Sequence, residues 1–178
     1  MNDQDIIDFW FREIPPDRWW AKDSAFDRAL AERFGAIHRA AARCELHEWR
    51  VSPQGRLAEV IVLDQFSRNI HRGDPLSFAC DPLALGLAQE AIRAGADAAV
   101  PPEQRTFLYM PFTHSESAAI HEVAVRLFSA PDMDNLEHEL KHKTIIDRFG
   151  RYPHRNAILG RPSTLEELEF LRGPDSSF

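Results

Sequence analysis

No stretch of this sequence sustains the period-two alternation of apolar and polar residues that a half-buried strand requires. The one β-branched run, Val60-Ile61-Val62, lies inside a longer helical pattern. The core must therefore be built from helices, and prolines and glycines divide the chain into seven or eight of them.

The first predicted helix starts after Asn2 or Asp3, pairs Ile6 with Trp10 and Ile7 with Phe11 at i,i+4 spacing, and stops before Pro15-Pro16. A long helix capped by Asp23 sets Phe26, Leu30, Phe34 (or Arg33), Ile37, Ala41 and Cys44 on one stripe. The third, from about Arg56 to Phe66, is apolar nearly all round, as an element buried on several sides is, and is the expected centre of the core. Asp81-Pro82 opens a fourth that ends at Gly95, and Pro101-Pro102 a fifth that Pro111 cuts after Tyr109. Thr113 and Glu116 have capping-box spacing before a sixth, ended by Pro131. A seventh runs from about Asp134 to Phe149 and stops at Gly150, and Ser163 with Glu166 caps the last. Short connections favour antiparallel neighbours, so the expected architecture is one all-α domain over residues 1–178, made of stacked helical hairpins.

Composition removes whole classes of function. The net charge of −7 opposes nonspecific binding to nucleic acid or anionic lipid, although arginine outnumbers lysine 18 to 3. No apolar run approaches a membrane span, and Asp3, Asp5 and Asp8 stand where a secretory signal would need basic residues, so a cytoplasmic protein is expected. Cys44 and Cys80 show no C-x-x-C spacing, which agrees with a reducing compartment and suggests no cysteine metal site. The oligomeric state has no signature.

Against the acidic background, residues 147–161 hold Arg148, Arg151, Arg155 and Arg161 with one acid, Asp147. Gly150 and Pro153 turn the backbone there, so several guanidinium groups must share a region, an arrangement suited to a carboxylate or phosphate. The alternative is a structural network, because Asp147 and Arg151, like Asp64 and Arg68, have the i,i+4 spacing of a helix brace. The two regions echo each other: Asp64-x-Phe66-x-Arg68-x-x-His71-Arg72 recurs 83 residues later as Asp147-x-Phe149-x-Arg151-x-x-His154-Arg155.

The runs Leu63-Asp64-Gln65-Phe66-Ser67-Arg68-Asn69-Ile70, Phe107 to Glu116 and Arg148 to Asn156 resemble the signatures of a bacterial family, domain of unknown function 924. Asp8-Phe9-Trp10-Phe11 and Trp20-Ala21-Lys22-Asp23 are similar to it too, so the likeness spans nearly the whole chain. The resemblance implies a tetratricopeptide-like, right-handed array of helical hairpins and carries no established activity. Position by position it singles out Asp64, Gln65, Arg68, Asn69, His114, Glu116, His142, Arg148, Arg151, His154, Arg155 and Asn156. His71 departs from the pattern, where an aromatic residue is more usual.

Other motifs compete. His138-Glu139-Leu140-Lys141-His142 is a literal H-E-x-x-H, the spacing of a zinc protease helix, but its charged flanks and the lack of a third-ligand signature speak against a metal, and no cofactor is expected. His114-Ser115-Glu116 offers a base, a hydroxyl and an acid, or simply a helix cap. Trp10, Trp19, Trp20 and Trp49 line a groove or anchor the core. The leading expectation is a protein whose concave side offers arginine and histidine to an acidic peptide or small anionic ligand. The alternative is a hydrolase or transferase with His114 or His154 as general acid/base and Arg68, Arg151 or Arg155 facing negative charge. Either requires Arg68, His114, Arg151 and His154 to approach one cleft. A purely structural network instead requires every arginine paired and no cavity beside it.

Overall fold

The structure, a computed structural model, describes residues 1–174 and Ser176. The end of the domain expected over 1–178, at Asp175, Ser177 and Phe178, lies outside the described residues. Among the described residues there is no strand, and no helix is long and apolar enough to cross a membrane. Nine α segments follow in order: α1 Asp3–Asp8, α2 Ser24–Ala42, α3 Pro53–Ile61, α4 Ser67–Ile70, α5 Asp81–Arg93, α6 Pro102–Thr113, α7 Ala118–Phe128, α8 Leu136–Phe149 and α9 Leu165–Phe170. A π-helical turn, Val62–Phe66, fuses α3 and α4 into one rod, so the described chain contains eight helices.

Local chemistry accounts for most helix ends. Asn2 and Asp5 form a capping box before α1, and the Asp23 carboxylate accepts from the backbone N–H groups of Ala25 and Phe26 at the start of α2. Ser52 caps α3 through the Gly55 N–H. Gly55 itself must be glycine, since a Cβ would sit 1.9 Å from the Trp49 carbonyl oxygen. Gly150 stops α8 in the left-handed region at φ 68°.

Several expectations about the helix ends shift. The central helix begins at Pro53, not Arg56, and runs through the π turn to Ile70, beyond Phe66. The α2 stripe ends before Cys44, which is exposed with a φ of 58°. The last capping box is Thr164 with Glu167, one residue beyond the expected Ser163 and Glu166. Pro111 does not cut α6, which runs on to Thr113. A mid-helix proline costs about 3 kcal/mol, but every residue from Thr106 to Thr113 is buried, and each large apolar side chain covered contributes about 1.5–3 kcal/mol. Finally, Thr113 and Glu116 form no capping box: Ser117 precedes α7, and Glu116 bonds to a distant segment.

The rod formed by α3 and α4 lies at the centre, as its all-round apolarity implies. Its α3 part packs against α1, α5 and α6, and the rest lies on α2. Leu57, Val60, Ile61, Val62, Leu63 and Phe66 are fully covered. Beyond it α5, α6, α7 and α8 pack successively, each on the next, an order compatible with stacked hairpins. A smaller cluster of Ile145, Ile146 and Tyr152, backed by Phe149 and Phe170, closes the far end.

Candidate functional site

The central rod carries carboxylate and guanidinium groups into the core. In its π turn, with one residue more per loop than an α turn, consecutive Asp64 and Gln65 are 0% and 6% exposed. Such turns recur where a helix must present unusual side-chain directions. Arg68 stands one turn further on, and buried Asn69 lies one turn beyond Gln65.

Three other elements bring partners. Asp81 sits in the first turn of α5, where the helix dipole favours an anion. His114 follows the last residue of α6, and Arg155 lies in the short 3-10 turn Pro153–Arg155. Arg68 grips Asp81 with both terminal nitrogens, at 2.9 and 3.0 Å, and reaches the Asp64 carboxylate at 3.2 Å. Arg155 gives one nitrogen to Asp81 at 3.1 Å and another to the His114 carbonyl at 3.0 Å. Its guanidinium is held between Phe78 and Tyr152, 4.5 and 4.7 Å from their ring centres. Two carboxylates and two guanidinium groups thus balance, which lets the group be buried without an uncompensated charge.

His114 closes the cluster. Its Nδ1 lies 2.7 Å from Asp64 Oδ1, while Gln65 donates to Oδ2 at 2.7 Å. Burial raises the Asp64 carboxyl pKa, but Arg68 and the hydrogen bonds from His114 and Gln65 outweigh this and hold it below its usual range. A carboxylate only accepts, so His114 Nδ1 must carry the proton. Burial, then the Arg68 charge, push the imidazole below its ordinary pKa despite the Asp64 carboxylate. A neutral ring with Nδ1 protonated leaves the lone pair on Nε2.

His114 also lines a cleft of about 370 Å³, together with the polar residues Asp81, Glu116 and Arg155 and apolar ones such as Phe78 and Leu85. In its lining, Glu116 receives Arg161 through both oxygens, at 2.6 and 2.9 Å, and the Tyr152 N–H at 2.7 Å. Asn156 steadies Arg161 at 3.0 Å and bonds to Ser163.

The other expected residues sit elsewhere or play other parts. Arg151 does not join Arg68 and His114: it is bound by both oxygens of Glu167, at 2.7 and 2.9 Å, and Arg148 by Glu166 at 2.8 Å. The concentration of positive charge along 147–161 is thus neutralised by acids from other segments. His154 lies beside Tyr152, with its pKa lowered to about 4 by burial and then by Arg155. In the H-E-x-x-H segment, Glu139 turns inward to His121 Nδ1 at 2.7 Å, and His142 Nδ1 bonds to the His138 carbonyl of its own helix. Among the described residues, no three His, Cys, Asp or Glu side chains gather as a metal site. Asp81 and Phe78 were not foreseen; an acid in the first turn of a helix is an ordinary capping choice and gives no sign of a tertiary role.

The family model described as bacterial protein of unknown function, DUF924, matches residues 6–175. The chain belongs to the DUF924 family. A solved structure titled as a protein of unknown function, ATU0120, from Agrobacterium tumefaciens is 45% identical to this DUF924 chain, with a TM-score of 0.91 over 96% of this chain and 97% of that one. No curated protein matches the sequence.

Proposed function

We propose that the cleft beside Asp81 takes a small, largely apolar ligand and that His114 exchanges a proton with it as a general base. The observation that carries this is the pairing of Asp64 and His114. One ring nitrogen is tied to a buried carboxylate at 2.7 Å, and the same residue lines a cleft of ligand size. An oriented, neutral imidazole is the form that accepts a proton near neutral pH. Arg68 and Arg155 then act on Asp81 and on the histidine backbone, fixing the geometry, and not on the ligand's charge. The anion-binding alternative draws less support, because Arg68, Arg148, Arg151, Arg155 and Arg161 each already hold a carboxylate. The structural-network alternative accounts for that pairing but not for the cleft.

A fragment screen by ligand-observed NMR tests the proposal. Hits should compete for one site, shift the His114 ring signals, and be lost when Leu85→Trp fills the cleft. Any hydrolysis or transfer found with a substrate panel should fall at least roughly a hundredfold in His114→Gln, the ordinary contribution of a general base. Hits that leave His114 unmoved, or that survive Leu85→Trp, would remove the site.

A further inference from the structure

A second concavity lies at the opposite end of α6 and has a different chemistry. Trp19, Trp20 and Phe107 form its wall, and Glu103, Asp132 and Asp134 stand round it, in a half-open pocket of about 270 Å³. The wall is ordered by its own contacts. Trp19 donates its indole N–H to the Trp10 carbonyl at 2.8 Å, and its ring stands edge-on to Phe107 at 5.0 Å and 81°. Trp20 lies parallel to Phe107, 7° from coplanar with centroids 5.7 Å apart, yet remains 54% exposed. Phe107 is buried, so the core explains it and Trp19 but not the exposed indole.

Two independent features select the same ligand. Electron-rich ring faces attract cations, and they do so best when the cation is large and weakly hydrated, since it loses little solvation on contact. The three carboxylates add negative potential; among the described residues only Asp132 is answered by a cation, Arg105 at 2.9 Å. A compact hydrated metal ion would forfeit its water against the indoles, and an anion would meet the carboxylates. We infer that this pocket binds an alkylammonium group, with Trp19 and Trp20 against its methyls and Glu103 and Asp134 supplying long-range attraction. This site is separate from the His114 cleft and does not depend on the reading proposed for it.

Choline is a suitable probe, with 3,3-dimethyl-1-butanol as its neutral isostere. Saturation-transfer NMR on the choline methyls, read together with the indole N–H signals of Trp19 and Trp20, should show saturable binding. The neutral isostere and the Trp20→Leu variant should each bind roughly tenfold more weakly. Glu103→Gln and Asp134→Asn should each cost about threefold, and salt should weaken the wild type. Trp20 is exposed, so its variant should melt close to wild type, which keeps the binding result interpretable. A short peptide carrying trimethyllysine, run in parallel, distinguishes a side-chain source of the ammonium from a free one. Equal binding of choline and its isostere, or no saturable binding of either ammonium probe, would overturn the inference.

Discussion

The two copies of the echoed motif send opposite halves of themselves into one cluster. In the first copy, the leading half turns inward: buried Asp64 and half-buried Arg68 pair at 3.2 Å and reach His114 and Asp81. Its trailing Arg72 turns outward to Asp27 at 2.6 Å. In the second copy, the leading Asp147 faces solvent and pairs with Lys143, Arg151 goes to Glu167, and the trailing Arg155 enters the cluster at Asp81. The cause is where each helix stops. The first motif continues through a π turn to Ile70, which keeps Asp64 and Arg68 on one helical face, whereas Gly150 ends α8 between Asp147 and Arg151 and the i,i+4 brace cannot form. A shared letter pattern therefore carries no shared role once the backbone beneath it diverges.

The comparison breaks most visibly at the leading acids. Asp64→Asn removes a buried charge partner of Arg68 and should cost about 3–5 kcal/mol, while Asp147→Asn, on a solvated pair, should cost no more than about 0.5 kcal/mol. Urea melts of both variants check this, and equal losses would mean that the burial difference has no energetic weight. At the trailing end the order reverses. Arg155→Gln leaves Asp81 with a single partner and should lose about 3 kcal/mol, whereas Arg72→Gln should lose less than about 1 kcal/mol. An effect smaller than either buried loss tests the cause itself: Gly150→Ala meets no atom within 4 Å but forces alanine to a φ of +68°, and should cost about 1 kcal/mol. A neutral or stabilising result there would show that the glycine does not impose the stop.

Much of the fold was legible in the sequence because helices advertise themselves locally, through an Asp23 cap, an apolar α3 or a glycine after Phe149. Pro111 misled because helix propensity is a local quantity, and the burial that overrides it comes from α3, α5, α7 and α8 packed around α6. The candidate site was half legible. Asp64, Arg68, His114 and Arg155 were identified and do meet, but the positive segment 147–161 looked like an anion receptor only because its carboxylate partners, Glu116, Glu166, Glu167 and Asp81, are separated from it in the chain or contributed by another helix. Asp81 resembled any first-turn acid. Pairing over such distances is a property of the packed chain, and no spacing rule reveals it.

Asp64 fixes the His114 proton on Nδ1, while burial and Arg68 keep the ring neutral with its lone pair on Nε2, beside the cleft. Nitrogen-15 NMR of the imidazole across pH 8 to 4, in wild type and Asp64→Asn, tests it most directly. The wild-type ring should be the Nδ1–H tautomer at pH 7 and take up a second proton only below the ordinary value near 6.5, because burial and Arg68 depress its pKa. The unfolded chain binds that proton more readily, so this group should also weaken the fold as pH drops through the same window. In Asp64→Asn the tautomer preference should be lost. A wild-type ring already protonated at pH 7, or carrying its proton on Nε2, would contradict the account.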